Sequence, residues 1–412
     1  MPSPTVVATP TVVAVPSQPD DFADYPDAIA SYLTETGGSP SCLAELFAAW
    51  DMPDGEVGLR CASADLDGDG QEEYVVRITV PSTRGVLHYG SQSELIGEPV
   101  TWAGDILILH KRAGRYELVY GQIYESILWG YEVTPMIFPF DPTILGVEDY
   151  NGDGKAEAAF TTSDCGAHTC STGLFILGWD GTEYRNLFEE GVSAPWTPPA
   201  DIEFIDLDGD GVKEVRLPAG QIASVGAGCQ RDRVEFYAWD GINYVLVKTE
   251  YEPSDFLYFA VVDGDEAYAV GDVETAIALY RMAIEDTSLV DWHELLGGPE
   301  PEERDRDELI PYAHFRLRLA ELASLPPDDE AAAQDLVDSI AALAGQFPDS
   351  LHAQAAAQFA VAYPDGEVPS EALAAGCVAF LAYVEGNRLE FDDMWYYGYA
   401  NPELVPERLC PH

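Results

Sequence analysis

Three nine-residue stretches of this 412-residue chain carry a dense, repeated set of oxygen donors: DLDGDGQEE at 65–73, DYNGDGKAE at 149–157 and DLDGDGVKE at 206–214. Each places an acid or amide at positions 1, 3 and 5, a glycine at 6 and a glutamate at 9. Oxygens at this spacing converge when the chain curls, and the converged set suits a hard divalent cation, Ca²⁺ first. Gly70, Gly154 and Gly211 permit the curl because they lack a Cβ. The bland alternative is a set of acidic turns without metal. It is disfavoured because so many carboxylates in nine residues repel one another unless a cation offsets the charge.

The loop type can be narrowed. An EF-hand needs a bidentate acid at position 12 and a helix on each side. Position 12 here is Val76, Phe160 or Leu217, and a strand-like run, YVVRITV at 74–80, follows the first loop. The pattern resembles the calcium loops of FG-GAP and VCBS-type repeats, the units of integrin-α-like β-propellers. The resemblance implies side-chain ligands Asp65, Asp67, Asp69 and Glu73; Asp149, Asn151, Asp153 and Glu157; and Asp206, Asp208, Asp210 and Glu214. It further implies backbone carbonyl ligands from Gln71, Lys155 and Val212, and hence about three structural Ca²⁺ ions.

The elements that must position these loops are β-hairpins. FILGWDGTEYRNL at 175–187 echoes FYAWDGINYVLV at 236–247, each alternating around an Asp-Gly turn. ILILHKRAGRYELV at 106–119 is a weaker copy turning at Ala113-Gly114. Loop plus hairpin defines units at roughly 62–145, 146–199 and 200–255. Closed propellers usually take about four to eight blades. The sequence therefore leaves open a degenerate further blade or an unclosed β-array.

Beyond about residue 255 the chain turns rich in alanine and leucine, with a helical period. GDEAYAVGDVETAIALYRMAIED at 264–286 resembles part of a tetratricopeptide repeat (TPR), with Gly271-Asp272 at the inter-helix turn. Ala276, Tyr280 and Ala283 then share one helix face. Segments 311–325 with 329–350, and 351–366 with 370–386, give two further helix pairs. The acidic stretch 297–308 reads as a loop. The expected fold class is multidomain α+β: a Pro/Thr/Val-rich linker at 1–19, a short helical lead-in at 20–61, an antiparallel, propeller-blade-like β-repeat domain at 62–255 and an α-helical TPR-like domain at 256–412. The lead-in carries helices at 27–36 and 41–51.

Composition bounds the function. The formal net charge is −53, and only Lys111, Lys155, Lys213 and Lys248 are lysines. Such a field repels nucleic acid and anionic lipid, and it favours a basic protein or peptide partner. No apolar run reaches the ~18 residues of a membrane span. The proline-rich start resembles the spacer that follows a signal or lipid-anchor site in bacterial envelope proteins. The seven cysteines suggest disulfides Cys42–Cys61, Cys165–Cys170 and Cys377–Cys410, with Cys229 left over. A zinc site at Cys165, His168 and Cys170 is a minor alternative, since the spacing lacks two paired ligands. Disulfides and calcium loops together point outside the cytoplasm, to an extracellular or surface-tethered protein. No nucleophile elbow, zinc-protease motif or phosphate loop is present. The expected role is binding or scaffolding with a structural metal, not catalysis. The alternative is a polysaccharide-binding lectin, or a polysaccharide-active hydrolase or lyase, with Trp395, Tyr396, Tyr397 and Tyr399 available to stack on a sugar.

Overall fold

Period-two patterning decides the first half of the molecule. The computed structural model describes residues 13–20, 24–38, 41–52, 59–82, 101–121, 142–165, 169–189, 191–295, 304–326, 329–364 and 369–411. The fold is mixed α+β, with antiparallel sheets first and helices concentrated in the second half. The chain divides into two compact units, 1–222 with 232–251 and 223–231 with 252–412.

The first unit contains three antiparallel sheets among the described residues. Strands β1 (Cys61–Ala64), β2 (Glu73–Ser82), β3 (Thr101–Arg112) and β4 (Arg115–Gly121) pair in sequence order. So do β5 (Thr143–Glu148), β6 (Glu157–Cys165), β7 (Cys170–Trp179) and β8 (Tyr184–Asn186), with β9 (Val192–Pro195) also on β7. The last four, β10 (Glu203–Ile205), β11 (Glu214–Ala219), β12 (Arg233–Trp239) and β13 (Tyr244–Tyr251), repeat the order. In the first sheet Val76, Ile78, Leu107 and Leu109 face helices α1 (Tyr25–Thr36) and α2 (Ala44–Ala49), burying Ile29, Leu33, Phe47 and Trp50. The alternate residues Val75, Ile106 and Ile108 pack on Ile144, Phe160 and Leu177 of the second sheet. The second sheet turns Leu174 and Ile176 to Val215 and Leu217 of the third. Each sheet thus buries apolar side chains on a neighbour, which a lone hairpin could not do.

The hairpin turns were legible. Ala113 and Gly114 take positive φ between β3 and β4. Asp180 and Asp240 each accept N–H bonds two and three residues ahead, from Thr182 and Glu183 and from Ile242 and Asn243. That is an Asx turn at both tips. Cys42–Cys61 joins the segment before α2 to β1 at a Cα separation of 5.5 Å. Cys165 and Cys170 are paired across β6 and β7, and Cys170 is disulfide-bonded. The Cys165 side chain and His168 lie outside the described residues.

The second unit is helical. Helices α3 (Leu257–Ala269) and α4 (Val273–Glu285) meet at a turn where Gly271 has φ 83°. Asp272 caps α4 by accepting from Thr275 N at 3.2 Å. Ala276, Tyr280 and Ala283 are all buried. A Cβ at Gly264 would sit 2.6 Å from the Tyr280 ring, so glycine sets how closely α3 and α4 approach. After the short α5 (Trp292–Leu295) comes α6 (Arg304–Ala323). It starts before Pro311, so the end of the acidic stretch expected as a loop is helical; 297–303 lies outside the described residues. Helices α7 (Glu330–Ala341), α8 (Leu343–Gln346), α9 (Leu351–Ala362), α10 (Pro369–Gly386), α11 (Arg388–Met394) and α12 (Pro406–Leu409) complete the unit. Cys377–Cys410 ties α10 to the tail at a Cα separation of 5.4 Å. Cys229 is buried and keeps its thiol. No helix among the described residues is long and apolar enough to cross a membrane.

Candidate metal centre

Each acidic loop is the turn between the first two strands of its sheet: β1–β2, β5–β6 and β10–β11. All three close by the same hydrogen-bond scheme. The position-1 carboxylate accepts from the N–H groups of positions 4 and 6. In the first loop Asp65 takes Gly68 and Gly70 at 2.8 and 3.0 Å. In the second Asp149 takes Gly152 and Gly154 at 2.7 and 2.9 Å, and in the third Asp206 takes Gly209 and Gly211 at 2.7 and 3.2 Å. Position 3 accepts from position 5: Asp67 from Asp69, Asn151 from Asp153, Asp208 from Asp210. Position 5 accepts from position 7: Asp69 from Gln71, Asp153 from Lys155, Asp210 from Val212. The position-9 glutamate reaches back to the N–H of position 2. Glu73 bonds Leu66 at 2.7 Å, and Glu157 and Glu214 bond Tyr150 and Leu207 at 2.8 Å.

The glycines explain how the loop turns so tightly. Positions 4 and 6 both have positive φ, from 76° to 93° over Gly68, Gly70, Gly152, Gly154, Gly209 and Gly211. A side chain at any of them would be strained. The position-4 glycines are therefore as necessary to the turn as those at position 6. The loops are also chained to one another. Ala156 donates to the Asp65 carbonyl at 3.2 Å, and Lys213 donates to the Tyr150 carbonyl at 2.9 Å.

The fold brings many of the expected ligands together. Ligand atoms lie within 4.8 Å of one another in Asp65, Asp67 and Asp69; in Asp149, Asp153 and Glu157; and in Asp206, Asp208 and Asp210. Asn151 braces the second set as a donor, its amide NH2 bonding Glu157 Oε1 at 3.1 Å while its Oδ1 accepts from Asp153 N. Glu73 clusters instead with Asp67 and His110, and Glu214 stands apart from its three aspartates, on Leu207 N. The backbone of Gln71, Lys155 and Val212 turns into each loop through the bond to position 5. A carboxylate oxygen that accepts one N–H retains a lone pair for a cation.

Electrostatics distinguish the loops. Glu73 and Glu157 are 1% and 2% exposed, whereas Glu214 is only partly buried. Burial pushes the Glu73 carboxyl up to about 7, and repulsion from Asp67 and Asp69 adds to it. Burial likewise pushes Glu157 up to about 7, with Asp153 and Asp149 contributing. A divalent cation among these oxygens would relieve both causes. The donor sets of the second and third loops, oxygen only, fit Ca²⁺. His110, absent from the sequence-derived set, is buried beside the first loop, with Nδ1 3.2 Å from Asp67. Burial lowers its pKa, against the pull of Asp67. No motif marks it; only the pairing of β2 with β3, which ends at Tyr74 and Leu109, could have done so. Comparison of the chain with protein-family models, curated proteins and solved structures found no match.

Proposed function

We propose that this chain is a calcium-stabilised binding or scaffold protein of the cell envelope or extracellular space. The carrying observation is the identical hydrogen-bond scheme in three loops, each poised at the head of a sheet. About three Ca²⁺ ions rigidify those turns, with Asp65, Asp67, Asp69 and Glu73, their counterparts in the other loops, and the carbonyls of Gln71, Lys155 and Val212 as ligands. The metal is structural and takes no part in a reaction. Four strands in sequence order per sheet support an FG-GAP or VCBS-type, propeller-like repeat. The α3–α4 pair, with its Gly271 turn and buried Ala276, Tyr280 and Ala283, supports a TPR-like array. Such an array holds a protein or peptide partner, and the −53 charge selects a basic one. The disulfides support an oxidising compartment.

A second reading, a polysaccharide-binding lectin or polysaccharide-active enzyme, is favoured by one observation. Trp395 and Tyr397 pack into the helical core, but Tyr396 and Tyr399 are 58% and 60% exposed. Pull-down from envelope extract at low salt and at high salt, run beside a glycan array, separates the two. A salt-sensitive basic partner supports the scaffold. Glycan binding lost in Tyr396→Ala and Tyr399→Ala supports the lectin.

A further inference from the structure

We propose that the first loop is a mixed-donor centre, in which Asp67, Glu73 and His110 hold a first-row divalent transition ion in preference to Ca²⁺. This rests on the reading of the loops as cation sites and sets their selectivity. A ring nitrogen of His110 and carboxylate oxygens of Asp67 and Glu73 lie within 4.8 Å of one another, close enough to share one ion, and Nδ1 is the nitrogen beside Asp67, at 3.2 Å. Two of the three residues, Glu73 and His110, are each 1% exposed, so the donors are fixed by packing rather than waving in solvent. The far side of the imidazole is also fixed. Nε2 is 2.6 Å from the Tyr184 hydroxyl, and the ring packs 5.1 Å from that of Trp179. A metal-bound histidine characteristically uses its second nitrogen this way, which sets the tautomer and aims the ligating nitrogen.

The other two loops show what is special here. Tyr74 pairs with Leu109, Ala158 with Leu177 and Val215 with Tyr237. Continuing each register one residue beyond these pairs leads from Glu73, Glu157 and Glu214 to His110, Gly178 and Ala238. Among the described residues, only the first loop has a histidine within reach of its carboxylates. Imidazole with carboxylates suits Zn²⁺ and its first-row neighbours, whereas Ca²⁺ takes oxygen. Three protein donors leave room for water to complete the shell. With calcium alone present, the loop fills through its oxygens; a transition ion displaces that calcium.

The test uses the full chain stripped with EDTA. Co²⁺ is titrated in millimolar Ca²⁺ and followed by its visible d–d absorption, with Zn²⁺ as competitor. The expected result is one equivalent of Co²⁺ that Ca²⁺ does not displace and Zn²⁺ does. His110→Gln, which keeps a hydrogen-bonding side chain, should weaken that equivalent at least about tenfold. Calcium uptake by the second and third loops should be unchanged. If millimolar Ca²⁺ removes the Co²⁺, or His110→Gln binds it as the parent does, the proposal is overturned. His110 is then a hydrogen-bond partner of Asp67, and the calcium reading survives. If neither metal binds anywhere, the selectivity proposal and the calcium reading fall together.

Discussion

The position-1 aspartate does more than the acids that follow it. Asp206 accepts two backbone N–H groups, whereas Asp208 accepts one. Both substitutions to alanine should cost one calcium equivalent in isothermal titration. In EDTA, however, Asp206→Ala should lower the melting temperature more than Asp208→Ala, because it also releases the turn. Equal melting temperatures would mean that the hydrogen-bond scheme contributes little without metal. At this scale the sequence is explicit where chemistry and spacing coincide, as for the eleven acids expected as ligands. It was silent on His110, because a strand brings that residue to Asp67 from 43 positions away in a register that no local pattern encodes.

Helix contacts in the second unit depend on a few buried polar groups. Arg316 is 1% exposed and lies 3.0 Å from Asp265, which also accepts from Tyr280 and Tyr312. Arg316→Met should destabilise by about 3–5 kcal/mol, because it leaves the mostly buried Asp265 carboxylate without its cation. Urea unfolding would show it; a change under about 1 kcal/mol would make the pair dispensable. Glu308 of α6 caps α9 from outside, accepting from Ser350 Oγ at 2.7 Å and Leu351 N at 3.0 Å. Burial raises its carboxyl, but hydrogen bonds and charge from His352, then Ser350 and Leu351, outweigh that and hold it below the usual range. Tyr383 of α10 also faces it. A depressed folded pKa means stability that is present above the unfolded value and lost as pH falls through the folded one. Glu308→Gln should therefore be less stable than the parent at neutral pH, and the gap should close below about pH 4.5. A gap that persists into acid would assign the effect to shape rather than charge. Period two made the hairpins legible, and Asp-Gly or Ala-Gly marked their tips. The boundary of α6 was not, since Pro311 reads as a helix start although the helix runs through it.

For the whole molecule, charge sets behaviour more than any single contact. The segment 256–412 has no lysine, and a basic partner bound there should dissociate as salt rises, since exposed charges are screened beyond about 8–10 Å at physiological strength. Affinity unchanged between low salt and 0.5 M, as an order-of-magnitude step in screening, would point to an apolar interface instead. Order along the chain, sheets then helices, was legible because the apolar period changes near residue 255. The assignment of 223–231 to the helical unit was not. Arg231 there pairs with Asp263 of α3, a long-range contact that composition cannot announce. The central claim is that the three loops are calcium sites that hold the sheets' first turns. Isothermal titration of EDTA-stripped protein with Ca²⁺, beside a thermal melt, tests it most directly. The account predicts saturable uptake of about three ions, on the order of 0.1–1 mM each, and a melting temperature that rises with calcium. No uptake, with the same melting temperature in EDTA and in calcium, would contradict it.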